Sequence, residues 1–115
     1  MPNARKPLDE GVVQRVRELL EHRGDVVERR MFGGLAFMVG GHMCCGVVGD
    51  TLMVRVGPDS YRKALDAPYA REMDFTGKPL RGFVYVDPKG IEADTDLKDW
   101  LRESQRFVDS LPRRG

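Results

Sequence analysis

Three runs rich in valine, methionine and leucine, Leu35–Val39, His42–Val48 and Thr51–Val56, follow one another with only Gly40-Gly41 and Gly49-Asp50 between them. Two-residue connections containing glycine are the turns whose twist matches that of the flanking strands, so this stretch predicts a three-stranded antiparallel meander. The turns also predict a register: Val39 faces His42, Phe37 faces Cys44, Val48 faces Thr51, and Cys44 faces Arg55. Alternation then divides the side chains between two faces. Ala36, Met38, Met43, Cys45, Val47, Leu52, Val54 and Val56 form a wholly apolar set, the expected core face. Leu35, Phe37, Val39, His42, Cys44, Val48, Thr51, Met53 and Arg55 form a mixed one. A face of that kind fits a partner or a second copy, with Phe37, Val39, His42, Met53 and Arg55 as its candidate contact residues.

The flanking segments change period. Leu8, Val12, Val16, Leu19 and Leu20 recur at helical spacing, which predicts a helix over about Leu8 to Arg23 with Gly24 as its left-handed cap. After Gly57-Pro58, the residues Tyr61, Ala64 and Leu65 predict a short helix that Pro68 stops. Arg71 to Phe75 and Gly82 to Val86, joined through Thr76-Gly77-Lys78-Pro79, predict a second hairpin. Asp94, Thr95 and Asp96 then open the helix with the largest apolar payload, carrying Leu97, Trp100, Leu101, Phe107, Val108 and Leu111. The predicted order is α-β3-α-β2-α: an α+β, two-layer fold with an antiparallel sheet and helices on one face. The chain of 115 residues is expected to be one domain with its core over about residues 8–111 and a tail from Pro112 free of the body.

Charge and cysteine usage narrow the chemistry. Nineteen basic against 18 acidic residues leave a formal charge of +1, too little for a broad phosphate-binding face. Two cysteines build no disulfide framework, and the start lacks the apolar run of a signal peptide. The expectation is a cytoplasmic protein without membrane contact. Neighbours in a strand point to opposite sides, so Cys45 is assigned to the core and Cys44 to the mixed face, beside Arg55 and His42. A cationic neighbour favours a thiolate, which makes Cys44 the candidate reactive thiol. His42 would lie about 6–7 Å along the strand, beyond direct hydrogen-bond reach, so no base is supplied. His42, Cys44 and Cys45 are too close on one strand to converge on zinc, and Met31-Phe32-Gly33-Gly34 lacks the Lys-Ser/Thr of a phosphate loop. No metal and no cofactor are expected. Arg29, Arg30, Lys78 and Arg81 are the candidate phosphate contacts, and Lys98, Arg102 and Arg106 read as a solvated row balanced by Asp99 and Glu103.

Five segments in order, Arg30-Met31-Phe32-Gly33-Gly34-Leu35-Ala36-Phe37, Met43-Cys44-Cys45-Gly46-Val47, Leu52-Met53-Val54-Arg55-Val56-Gly57-Pro58, Met73-Asp74-Phe75-Thr76-Gly77 and Gly82-Phe83-Val84-Tyr85-Val86, resemble the N-terminal domain family of TfoX/Sxy proteins. The resemblance runs from about Leu8 to Leu111 and implies the same α-β3-α-β2-α order. It also implies a relation to competence regulators, transcriptional coactivators that carry a second, C-terminal helical domain. It hands down no catalytic residues. The expected function is a noncatalytic module that binds a protein partner or itself through the mixed face, with nucleic acid contacted indirectly or weakly. Two alternatives stand beside it: a thiol-based sensor or small enzyme at Cys44, and a weak direct DNA binder.

Overall fold

In the computed structural model, residues 7–31, 33–74 and 77–113 are described. Gly40 and Gly41 both take positive φ, 60° and 87°, and close strand β2 (Gly34–Val39) onto β3 (His42–Val48). Gly49, at φ 60°, turns β3 into β4 (Thr51–Arg55). These are the backbone states that two-residue hairpin loops demand. The second hairpin joins β5 (Ala70–Asp74) and β6 (Pro79–Val86), and β6 inserts between β4 and β5. Phe75 and Thr76, at the predicted strand end and turn, lie outside the described residues, as does Phe32 of the glycine step.

The sheet contains a strand beyond the predicted five. Val26–Met31, here β1, pairs with β2 in an unbroken antiparallel register, so the sheet is six-stranded with order β1-β2-β3-β4-β6-β5. Glu28, Arg29 and Arg30 occupy its middle, which leaves no apolar alternation to read. It forms because it is an edge strand whose charged side chains stay at the surface.

Helices α1 (Glu10–Leu20), α2 (Tyr61–Leu65) and α3 (Asp94–Asp109) form the second layer. Asp9 caps α1, its Oδ1 accepting from the Val12 amide at 3.1 Å. The helix ends without the predicted glycine cap: the amides of Glu21 and Arg23 donate to Glu18 and Leu20, and Gly24 is not left-handed. A 3-10 turn (Pro88–Ile91) precedes α3 and is tied to α1 by Arg15, which donates to the Ile91 carbonyl at 2.7 Å. Val13, Val16 and Leu20 of α1 and Leu97, Leu101 and Val108 of α3 pack on Val47, Leu52, Val54, Val84 and Val86 of the sheet. The fold is therefore α+β and two-layered. Among the described residues, all helical core side chains lie against one sheet face.

The predicted register breaks at one position. Val39 does face His42, but Phe37 faces Cys45 rather than Cys44, because β3 bulges between the pairs Phe37–Cys45 and Met38–Met43. One extra residue on one strand inverts the faces on the partner strand. Leu35, Phe37 and Val39 consequently turn to the helices, while Ala36, Met38 and Met43 turn away. On β4 the predicted faces hold: Leu52 and Val54 lie inside, with Thr51, Met53 and Arg55 opposite. Pro112 and Arg113 are not free of the body either. His42 Nε2 donates to the Pro112 carbonyl at 2.6 Å, and Arg113 pairs with Asp25 at 3.1 Å.

Candidate functional site

The sheet face turned away from the helices is the candidate site. The pairings Arg29–Ala36, Ala36–Gly46, Gly46–Met53, Met53–Tyr85 and Tyr85–Arg71 align six residues in one row across all six strands. Five inter-strand spacings make that row about 24 Å long. Its middle is small and apolar. A Cβ on Gly46 would sit 2.8 Å from Met53 Cε, so the missing side chain is what lets Met53 lie flat across the neighbouring strand. Ala36 and Met53 are buried, and neither belongs to the core cluster beneath the described helices.

Around this floor are half-buried Met38, Met43, Val48, Phe83 and Tyr85, and Val27, which is 55% exposed. Two arginines stack on the aromatic pair. The Arg55 guanidinium lies 5.2 Å from the Phe83 ring centre and 5.3 Å from that of Phe107, and donates to the Met43 carbonyl at 3.3 Å. Arg71 lies 4.9 Å over Tyr85 and pairs with Asp87 at 3.0 Å. Such stacks hold long cationic side chains against apolar surface. Register places Arg29, Arg55 and Arg71 on this face, whereas Glu28 and Glu72 lie opposite Phe37 and Val84, toward the helices. The face thus combines methionines, two aromatics and cations.

The predicted contact residues do not all belong to it. Phe37 and Val39 are 0% and 1% exposed, in the core beneath α1 and α3, because the bulge reverses β2. They present nothing to a partner. His42 sits on the helix side with the chain end. Met53 and Arg55 do lie on the uncovered face, Met53 as buried floor. The residues that reasoning from the meander missed are Val27, Met38, Met43, Arg71, Phe83 and Tyr85. The signal for two of them was present: Phe83-Val84-Tyr85-Val86 is apolar at every position, as a strand with two apolar faces must be.

The bulge also reassigns the thiols. Cys44 and Cys45 are both fully buried on the helix side, and Cys44 Sγ lies 3.2 Å from Ser104 Oγ of α3. Hydrogen bonding with Cys45 and Ser104 brings the Cys44 thiol below its ordinary value against the opposing effect of burial. The Cys45 thiol, donating to Cys44 and enclosed, is pushed well above its own. Arg55 stacks on Phe83 and Phe107 and donates to the Met43 carbonyl. The candidate phosphate contacts do not assemble. Arg29 and Arg30 lie on β1, while Lys78 and Arg81 belong to the β5–β6 hairpin at the other end of the sheet. Among the described residues no three metal-ligating side chains converge, and no helix is long and apolar enough to cross a membrane.

A comparison with protein families matches residues 18–108 to the TfoX N-terminal domain, nearly four-fifths of the chain. No curated protein and no solved structure matches. The matched region runs from the last turn of α1 to the last turn of α3 and takes in the whole sheet, so the chain belongs to the TfoX N-terminal domain family.

Proposed function

We propose that this domain is a noncatalytic, cytoplasmic interaction module that binds a protein partner through the uncovered sheet face, and that any bearing on transcription, as in the competence regulators it resembles, passes through that contact. The observation that carries the reading is the composition of the face. Met38, Met43, Val48, Phe83, Tyr85 and exposed Val27 lie together on a sheet that the described helices cover from one side alone. Contiguous apolar surface rimmed by polar groups marks interaction sites, and methionine and aromatic side chains are the types enriched there. Catalysis is not favoured by the thiol site. Cys44 is enclosed against Ser104, and His42 is directed to a backbone carbonyl.

The test is capture of the native partner from the source cell with wild-type protein and with Met38→Asp. Met38 is half-buried and faces away from the core, so the variant should keep the wild-type melting temperature to within a few degrees while capture falls by at least about tenfold. Undiminished capture by a folded Met38→Asp protein would falsify the reading.

A further inference from the structure

The uncovered face ends at two unequal edges. β5 is irregular, its register with β6 shifting between Glu72 and Asp74, and its Arg71 is committed to Asp87 and Tyr85. β1 pairs with β2 through six consecutive residues without a break, and its outer ladder has no neighbour among the described strands. A regular, unpaired edge of that kind is a template for another strand, unless its side chains forbid one.

The side chains of β1 select rather than forbid. Glu28 is already held by Arg17, whose guanidinium donates to both carboxylate oxygens at 2.6 and 2.8 Å. Arg29 and Arg30 are exposed on opposite faces of the strand, and neither meets a carboxylate among the described residues. A second copy is a poor occupant. Antiparallel pairing of two β1 strands needs a two-fold axis normal to the sheet, and the residue on that axis then faces itself. In the registers that overlap the strands most fully, with Glu28, Arg29 or Arg30 on the axis, that residue meets its own charge, and directly opposed like charges destabilise a strand pair. A strand with two consecutive carboxylates meets both free arginines, one on each face.

We infer that β1 accepts an extended acidic segment of the partner protein as an added strand, with adjacent carboxylates opposite Arg29 and Arg30 and apolar neighbours beside Val27 and Met31. The inference rests on the interaction-face reading above, because the added strand widens that same face.

The probe is a short synthetic peptide with two central glutamates flanked by valine and threonine, titrated into the ¹⁵N-labelled full chain. The expected result is perturbation and exchange protection of the Val26–Met31 amides. Binding should weaken by at least about tenfold in Arg29→Glu/Arg30→Glu, a doubly exposed variant that should stay folded, and that variant should bind the peptide with lysines in place of the glutamates. A peptide N-methylated at alternate residues keeps its charge but loses ladder donors, and should not bind. Equal binding of the methylated peptide, perturbations that avoid β1, or indifference to the charge reversal overturns strand addition. So does dimerisation through β1, or tighter, Arg29- and Arg30-dependent binding of oligothymidylate. Native-partner capture separates the two levels. Loss with Met38→Asp but not with the arginine reversal leaves the interaction face standing and sinks the added strand. If neither variant lowers capture, the face falls, and the inference with it.

Discussion

At the scale of single residues, positions lacking a side chain do as much as those that have one. Gly46 makes room for Met53, and Gly57 makes room for Phe107. Gly57 has φ 85°, and a Cβ there would clash with the edge of the Phe107 ring, the same ring that holds one side of the Arg55 guanidinium. Gly57→Ala should therefore cost about 2–4 kcal/mol, from left-handed strain together with overpacking, measurable as a lower denaturant midpoint at unchanged slope. The cost should be accompanied by loss of the Arg55 stack, visible as altered Phe107 ring shifts. The glycine was legible in the sequence as the end of the meander. Its contact was not, because Phe107 lies fifty residues further along and reaches it only through the fold.

At the scale of elements, α3 carries the second layer. Leu97, Leu101 and Val108 are buried along one side, while Lys98, Arg102 and Arg106 are exposed on the other, with Arg102 and Arg106 paired three residues back to Asp99 and Glu103. Leu101→Ala should destabilise by about 2–5 kcal/mol in chemical denaturation, and Lys98→Ala by less than about 0.5 kcal/mol. If the two cost the same, α3 does not carry the second layer. Elements of this kind were readable in advance: the helices, the meander and the second hairpin follow from period and punctuation. β1 was not readable, since this edge strand carries charge on both sides and leaves no pattern. Nor was the bulge. Cys44-Cys45 looks like any strand pair, and Ser104 of α3, sixty residues away, gives the turned-in Cys44 thiol a polar partner in the core.

At the scale of the molecule, a charge network ties the chain end to the layers. Arg23, after α1, donates to Asp25 before β1 and to Asp109 at the end of α3, while Arg113 reaches Asp25. Arg23 holds the carboxyls of Asp25 and Asp109 below the usual carboxylate range, and Arg17 does the same for Glu28. Groups depressed in this way bind protons more readily in the unfolded chain. Their contribution is complete above the ordinary carboxylate range near pH 4 and disappears as pH falls through the folded values below it. Melting temperature should thus drop steeply from about pH 4 downward. Asp25→Asn should lower stability by about 1 kcal/mol at neutral pH and flatten that drop. A parallel acid profile in wild type and variant would remove the network from the account.

The sequence by itself determined the layers: the α+β class, the antiparallel meander, the apolar payload of α3 and the family. These depend on local periodicity and turn chemistry, which a chain carries with it. Only the tertiary structure decided which side of β2 faces inward, that both thiols are interior, and that the surface left uncovered is built from Met38, Met43, Phe83 and Tyr85 rather than from Phe37 and Val39. The reason is the period of two. A single bulged residue, stabilised by contacts from a distant helix, exchanges the faces of the neighbouring strand, and no local pattern records that exchange.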